Sequence, residues 1–126
     1  MTAVIDTSAL LTILLDEPGA DQVRPHLATG QMSVINLCET YTKLVEAGLS
    51  RDDAERQVMR LELRISPFHE AYALEAAMLR PITRHLGLSL GDRACLALAR
   101  LTNLPVITAD RAWTALDIGI DIRLIR

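Results

Sequence analysis

Four carboxylates fall where the chain changes direction. Asp6 follows the β-branched run 3–5, Asp110 stands two residues after Thr108 at the end of the apolar stretch 104–108, and Glu39 and Asp92 each sit near the start of a helical pattern. In an open sheet of parallel strands the binding crevice lies past the carboxyl ends of the strands. Four separate segments would then aim one acid each at one place. Taken singly, each acid has a plainer reading, because an Asp after a strand and an acid in a first helical turn both serve as helix caps and complement the helix dipole. The surroundings argue for more. Asp6 lies between an apolar strand and the apolar run 9–15, Glu39 is flanked by Leu37 and Cys38, and Asp92 with Arg93 interrupts an otherwise apolar stretch over 90–99. Charges are rarely left in such places without partners. Arg93 and Arg111 adjoin two of the acids, but consecutive residues on a helix point apart. Carboxylates that converge repel one another, so either some take up protons or a cation fills the site. Oxygen-only ligands favour Mg²⁺ or Mn²⁺. Such ions activate water and clamp phosphoryl oxygens, which is the chemistry of phosphodiester cleavage.

Composition bounds what kind of molecule must position these acids. The chain has 126 residues, half of them hydrophobic and 23% charged, with a net charge of −3. That length suits one domain over 1–126, with a core large enough to hide roughly two-thirds of the unfolded surface. Mean hydropathy of +0.22 excludes a disordered tail. Aromatics make up only 3%, so the core must be aliphatic, and their scarcity argues against a base-stacking platform for single strands. The net charge excludes a basic nucleic-acid coat but leaves room for a local basic rim. Lys43 is the single lysine among 13 basic residues; it, Arg93 and Arg111 are the candidates near the expected mouth, and a solvated surface is the alternative for each. Cys38 and Cys95 lie in apolar helical patterns without close spacing, which predicts buried free thiols in a reducing cytoplasm. His26, His69 and His85 show no mutual spacing that suggests a site. No signal peptide is visible and no apolar run reaches the roughly 20 residues that span a bilayer, so a soluble cytoplasmic protein without membrane attachment is expected.

The elements follow from periodicity and punctuation. Short β-branched runs at 3–5, 32–35, 63–65 and 104–108, and an alternating edge-like run at 120–124, read as strands. Between them lie helical patterns over 9–15, 20–28 (weakened by Pro25), 36–47, a stretch capped by Ser50, 69–85 (disturbed by Pro81), and one opened by 89–92 that carries Ala94, Cys95, Leu98 and Ala99 inward. Asn36, with Glu39 three residues on, has the form of a capping box. Alternating strands and helices predict a three-layer α/β/α fold around a short central parallel sheet.

With these residues in view the chain resembles the PIN-domain ribonucleases, in particular the VapC-type toxins of bacterial toxin–antitoxin pairs. The resemblance rests on the segments 4–10, 36–39, 88–99 and 105–113, in family order across essentially the whole chain. It implies a PIN-like fold and a Mg²⁺- or Mn²⁺-dependent endoribonuclease in which Asp6, Glu39, Asp92 and Asp110 are the acidic quartet. Asp6 and Asp92 would be the direct metal ligands. Glu39 and Asp110 would bind a second ion, hold metal-bound water or assist proton transfer. Ser8 and Thr108 match hydroxyl positions near the site, with strand-end and capping roles as the alternative. The resemblance further implies an RNA substrate, a homodimer, and a cognate VapB-like antitoxin that offers a basic side chain to the acidic pocket. The stretches 51–61 and 71–79 are candidate partner surfaces, or ordinary packing faces. Two rivals remain: a non-catalytic PIN-like module that captures RNA or protein, and an aspartyl phosphatase, which wants a second Asp where this chain has Ser8.

Overall fold

A computed structural model of the chain describes residues 2–126. Five strands, β1 (Val4–Ile5), β2 (Gln31–Ser33), β3 (Arg64–Ser66), β4 (Val106–Thr108) and β5 (Ile122–Leu124), form one sheet in the order β3-β2-β1-β4-β5. Every neighbouring pair is parallel, with Val4 opposite Val106 and Ile5 opposite Ile107 at its centre. Six α-helices accompany it among the described residues: α1 (Thr7–Leu14), α2 (Ala20–Val23), α3 (Val34–Glu46), α4 (Arg51–Met59), α5 (Glu70–Thr83) and α6 (Leu90–Thr102).

The strands alternate their side chains between two layers. Val4 and Val106 face a core built with Leu79 of α5 and Cys95, Leu96 and Leu98 of α6. Ile5, Ile107 and Met32 face the opposite way, onto Ala9 and Leu10 of α1 and Val23 of α2. A smaller cluster of Leu44, Ala54 and Val58 joins α3 to α4. The core is aliphatic, as the composition requires, with Trp113 its largest fully buried side chain.

The sheet order fixes where the site must lie. From β1 the chain moves outward on one side to β2 and β3, then returns to place β4 on the other side of β1. The carboxyl ends of β1 and β4 therefore flank the point where strand order reverses, the usual crevice of such sheets. Asp6 follows β1 directly and Asp110 stands two residues past β4, and the backbone N–H of Asp6 donates to the carbonyl of Ile107 across the junction (3.0 Å).

Several local expectations need correction. The second strand ends at Ser33 and the helix begins at Val34: the Ser33 hydroxyl accepts from the Ile35 N–H (3.2 Å), so Ser33 is the cap. Val34 and Ile35 are β-branched and suit either state in isolation; the cap decides. Asn36 is consequently not a cap but a fully buried residue inside the first turn. Cys38 is exposed, because moving the helix start places it on the outer face, while Cys95 is buried as expected. The helix expected over 20–28 gives way after Val23 to a 3₁₀ turn, Arg24–His26, that contains Pro25. Pro81 does not break α5; the helix runs two residues past it, to Thr83. No helix among the described residues is long and apolar enough to cross a membrane.

Candidate active site

Asp6 occupies the N-cap position of α1, yet its side chain does not cap. Its backbone carbonyl starts the helix by accepting from Ala9 and Leu10, which leaves the carboxylate for other work. Oδ2 accepts from the Ser8 hydroxyl (2.6 Å) and from the Thr108 hydroxyl (2.9 Å). Each hydroxyl is aimed in turn by a backbone donor past β4: the Ala109 N–H donates to Ser8 Oγ (2.9 Å) and the Asp110 N–H to Thr108 Oγ1 (3.1 Å). A chain of donors therefore runs from the end of β4 onto an acid at the end of β1. Burial pushes the Asp6 carboxyl up to about 6 from its ordinary 3.8; the bonds from Ser8 and Thr108 hold it down, and the charges of Asp92 and Glu39 push it further up. Beneath these acids the Cys95 thiol is held well above its usual range, by burial first and then by Asp6, Asp92 and Glu39, so it stays protonated.

Glu39 sits on α3 and is half-buried. Its Oε1 accepts from the Thr7 hydroxyl (3.0 Å) and from the Asn36 amide (2.9 Å). Its carboxylate also lies against Gly91: a Cβ built there would collide with the carboxyl group. The absence of a side chain at that position of α6 is what lets the acid approach. Asp92 is the third residue of α6 and does act as a cap. Its Oδ2 accepts from the Ser89 N–H (3.0 Å) while Ser89 Oγ accepts from the Asp92 N–H (3.1 Å), a reciprocal capping box. Asp110 likewise caps: its Oδ1 accepts from the Ala112 N–H (3.0 Å) and starts the 3₁₀ turn Arg111–Ala115.

The structure thus gathers Asp6, Glu39 and Asp92 closely enough for each charge to bear on the same buried groups. Asp110 stands beside them, linked to Asp6 only through its backbone and Thr108. None of the ion pairs among the described residues includes any of the four. The donor set is all oxygen and carries uncompensated negative charge at one edge, which fits a hard divalent cation in kind. As placed, no three His, Cys, Asp or Glu side chains among the described residues stand close enough to enclose one.

The expected basic rim is divided. Lys43 is exposed on α3, one turn beyond Glu39, with only a loose 3.9 Å pairing to Glu46. Arg111 is exposed beside Asp110. Arg93 is partly buried and turned elsewhere: its Nη1 donates to the Ala76 carbonyl of α5 (3.0 Å) and its buried Nε has no partner. Sequence reasoning missed the parts played by Asn36, Thr7 and Gly91 around Glu39. The signal available was a lone amide among the apolar residues that follow Ser33; only the position of the cap distinguishes a capping Asn from a buried one.

A PIN-domain family model matches residues 3–119. Among solved structures, the chain is similar to a toxin–antitoxin complex from Klebsiella pneumoniae, with 22% identity, a TM-score of 0.71, and 95% of this chain and 99% of that one covered. It is similar to VapBC2 from Rickettsia felis bound to a promoter DNA fragment, with 14% identity, a TM-score of 0.76 and 98% of each chain covered. It is also similar to VapBC-5 of Mycobacterium tuberculosis, a member of the VapBC family of toxin–antitoxin systems, with 24% identity, a TM-score of 0.64, and 99% and 98% covered. A search of curated protein sequences gives no significant match.

Proposed function

The chain belongs to the PIN-domain family, and from that premise we propose that it is a metal-dependent endoribonuclease of the VapC type, the toxin of a toxin–antitoxin pair. One observation carries the reading: an acid at the strand-order reversal, Asp6, is buried without a counter-cation, is held by two hydroxyls, and feels the charges of Glu39 and Asp92. A protein has little structural use for such a concentration of like charge, whereas a divalent cation turns it into a binding site.

Asp6 and Asp92 would hold the ion, Mg²⁺ or Mn²⁺, with Glu39 and Asp110 completing the acidic wall. When bound, the ion supplies Lewis acidity toward a phosphoryl oxygen and lowers the pKa of an attacking water. The chain's own residues do the rest. Ser8 and Thr108 orient the Asp6 carboxylate and favour its ionised form, because both donate to it. Glu39, fixed by Thr7 and Asn36, presents a carboxylate that can hold a water or accept its proton. Exposed Lys43 and Arg111 flank the acids and offset the repulsion between this acidic chain and an RNA backbone. Arg93 would contribute to that rim only by giving up its bond to α5.

The partner assignments rest on exposed apolar surface. Leu74, Met78 and Ile82 project from α5 at four-residue intervals, all exposed, and suit pairing with a second copy. Leu37, Tyr41 and Val45 of α3 line an open apolar groove beside Cys38, a seat for an antitoxin segment. The solved relatives named above are themselves toxin–antitoxin assemblies.

The test is cleavage of internally linked RNA with Mg²⁺ or Mn²⁺ against EDTA, comparing wild type with Asp6→Asn and Asp92→Asn. Metal-dependent cutting by wild type, lost in both variants, is the expected result. Intact RNA in every lane would mean a module that binds without cutting. Release of inorganic phosphate from a small phosphoester with internal linkages spared would mean a phosphatase.

A further inference from the structure

Asn36 is fully buried, and a buried amide needs a reason. It does not cap α3, since Ser33 does. Its Nδ2 donates twice, to Glu39 Oε1 (2.9 Å) and to the Gly91 carbonyl in the first turn of α6 (3.0 Å). Both of those atoms are acceptors only, so the amide cannot be turned the other way round. The orientation leaves Asn36 Oδ1 buried with no partner. An orphaned buried acceptor is unfavourable, and an aliphatic side chain of similar size would avoid it. What the amide provides instead is a tie between two helices that each carry one of the acids, together with a fixed direction for one carboxylate. Thr7 Oγ1 shares its single hydrogen between the same Glu39 Oε1 (3.0 Å) and the Asn36 carbonyl (3.1 Å), so α1 joins the same node. Gly91 completes it, because the Glu39 carboxyl occupies the space where a side chain would stand.

We infer that Asn36 is the positioning residue of the acidic site: it sets the Glu39 carboxylate against the N-terminal turn of α6, and so fixes the separation between Glu39 and Asp92. This rests on the nuclease reading for its functional meaning but on the hydrogen-bond geometry for its substance. The residue touches neither substrate nor metal. It acts through Glu39, as groups that orient metal-site carboxylates do.

The experiment is a cycle read by Mn²⁺ binding, followed by electron paramagnetic resonance, and by RNA cleavage. The proteins are wild type, Asn36→Ser, Glu39→Ala and the double variant. Asn36→Ser should weaken Mn²⁺ binding about tenfold and slow cleavage by roughly 10- to 100-fold, the range for a displaced site group. In the Glu39→Ala background the same change should weaken Mn²⁺ binding by less than about twofold, because no carboxylate remains to be positioned. The similarly sized Asn36→Leu, which removes both donations without adding charge or leaving a cavity, should reproduce the loss, and it carries the test should Asn36→Ser not fold. Wild-type Mn²⁺ affinity and cleavage in the folded Asn36 variants, with only a lowered melting temperature, would overturn the inference. So would a loss that simply adds to that of Glu39→Ala. If wild type binds Mn²⁺ but leaves RNA intact, the nuclease reading fails while the cycle still decides the role of Asn36.

Discussion

Thr108 and Asp6 lie 102 positions apart in the chain, yet the Thr108 hydroxyl donates to Asp6 Oδ2 at 2.9 Å. That bond joins the two central strands at their carboxyl ends and favours the charged form of a buried acid. Thr108→Val keeps the shape and removes the donor. Bonds to charged groups contribute about 1.5–3 kcal/mol, so a loss of about 2 kcal/mol is expected at pH 8, where Asp6 is ionised. The loss should be smaller at pH 5, where a protonated Asp6 no longer needs the donor. Thermal melts of wild type and variant at the two pH values measure the difference.

Asp6 itself should destabilise the fold at neutral pH. Its folded pKa, about 6, lies above the ordinary 3.8, so between those values the folded state holds a proton that the unfolded state has lost. Stability attributable to this group therefore falls as pH rises through that window and stays low above it. With the side chain only 4% exposed, the full shift corresponds to an upper bound of about 3 kcal/mol. Asp6→Asn removes the charge and keeps an acceptor for Ser8 and Thr108. Its melting temperature should exceed that of wild type by roughly 4–10 °C at pH 7.5 in EDTA, converging with wild type near pH 4. A lower melting temperature at pH 7.5 would show that the ionised acid is structurally required.

Asp92 caps α6 and, on the proposed reading, would also hold the metal; substitution can separate the two. Asn retains an acceptor for the Ser89 N–H, so Asp92→Asn should melt within about 1 kcal/mol of wild type while cleavage falls at least about 100-fold. Ala has no acceptor, and Asp92→Ala should lose a further 0.5–2 kcal/mol, the usual cost of a missing cap. Comparing the two variants by melting and by cleavage separates the helix cap from the metal ligand.

On the proposed reading divalent metal should raise the melting temperature, because the ion would bind the folded carboxylates and not the dispersed ones. At a concentration 100 times the dissociation constant the stabilisation is about 2.7 kcal/mol. A titration with Mn²⁺ into the millimolar range should show the rise in wild type and almost none in Asp6→Asn. A flat titration in wild type would count against the site.

Much of this was legible in the residue order, for a physical reason. Short β-branched runs such as Val4–Ile5 and Val106–Thr108 have few ways to be buried on both faces except as central parallel strands. An acid placed just after such a strand must then emerge at one edge, so Asp6 and Asp110 could be located before any coordinates. The junction at Ser33 was not legible, since Ser33 and Asn36 are both capping types and Val34 and Ile35 suit strand or helix alike. The phase of α3, and with it the exposure of Cys38 and the burial of Asn36, hung on that choice. The direction of Arg93 was also hidden, because its acceptor, the Ala76 carbonyl, belongs to a different helix.

Trp113 is the only tryptophan of the chain, and it is completely buried in the core beside Val106 and Leu98. The turn that carries it is fastened at its start by the Asp110 carboxylate. The one indole of the chain thus hangs from a turn that begins at the acidic rim, so its red-selected emission reports whether the core beneath that rim is intact without any added label.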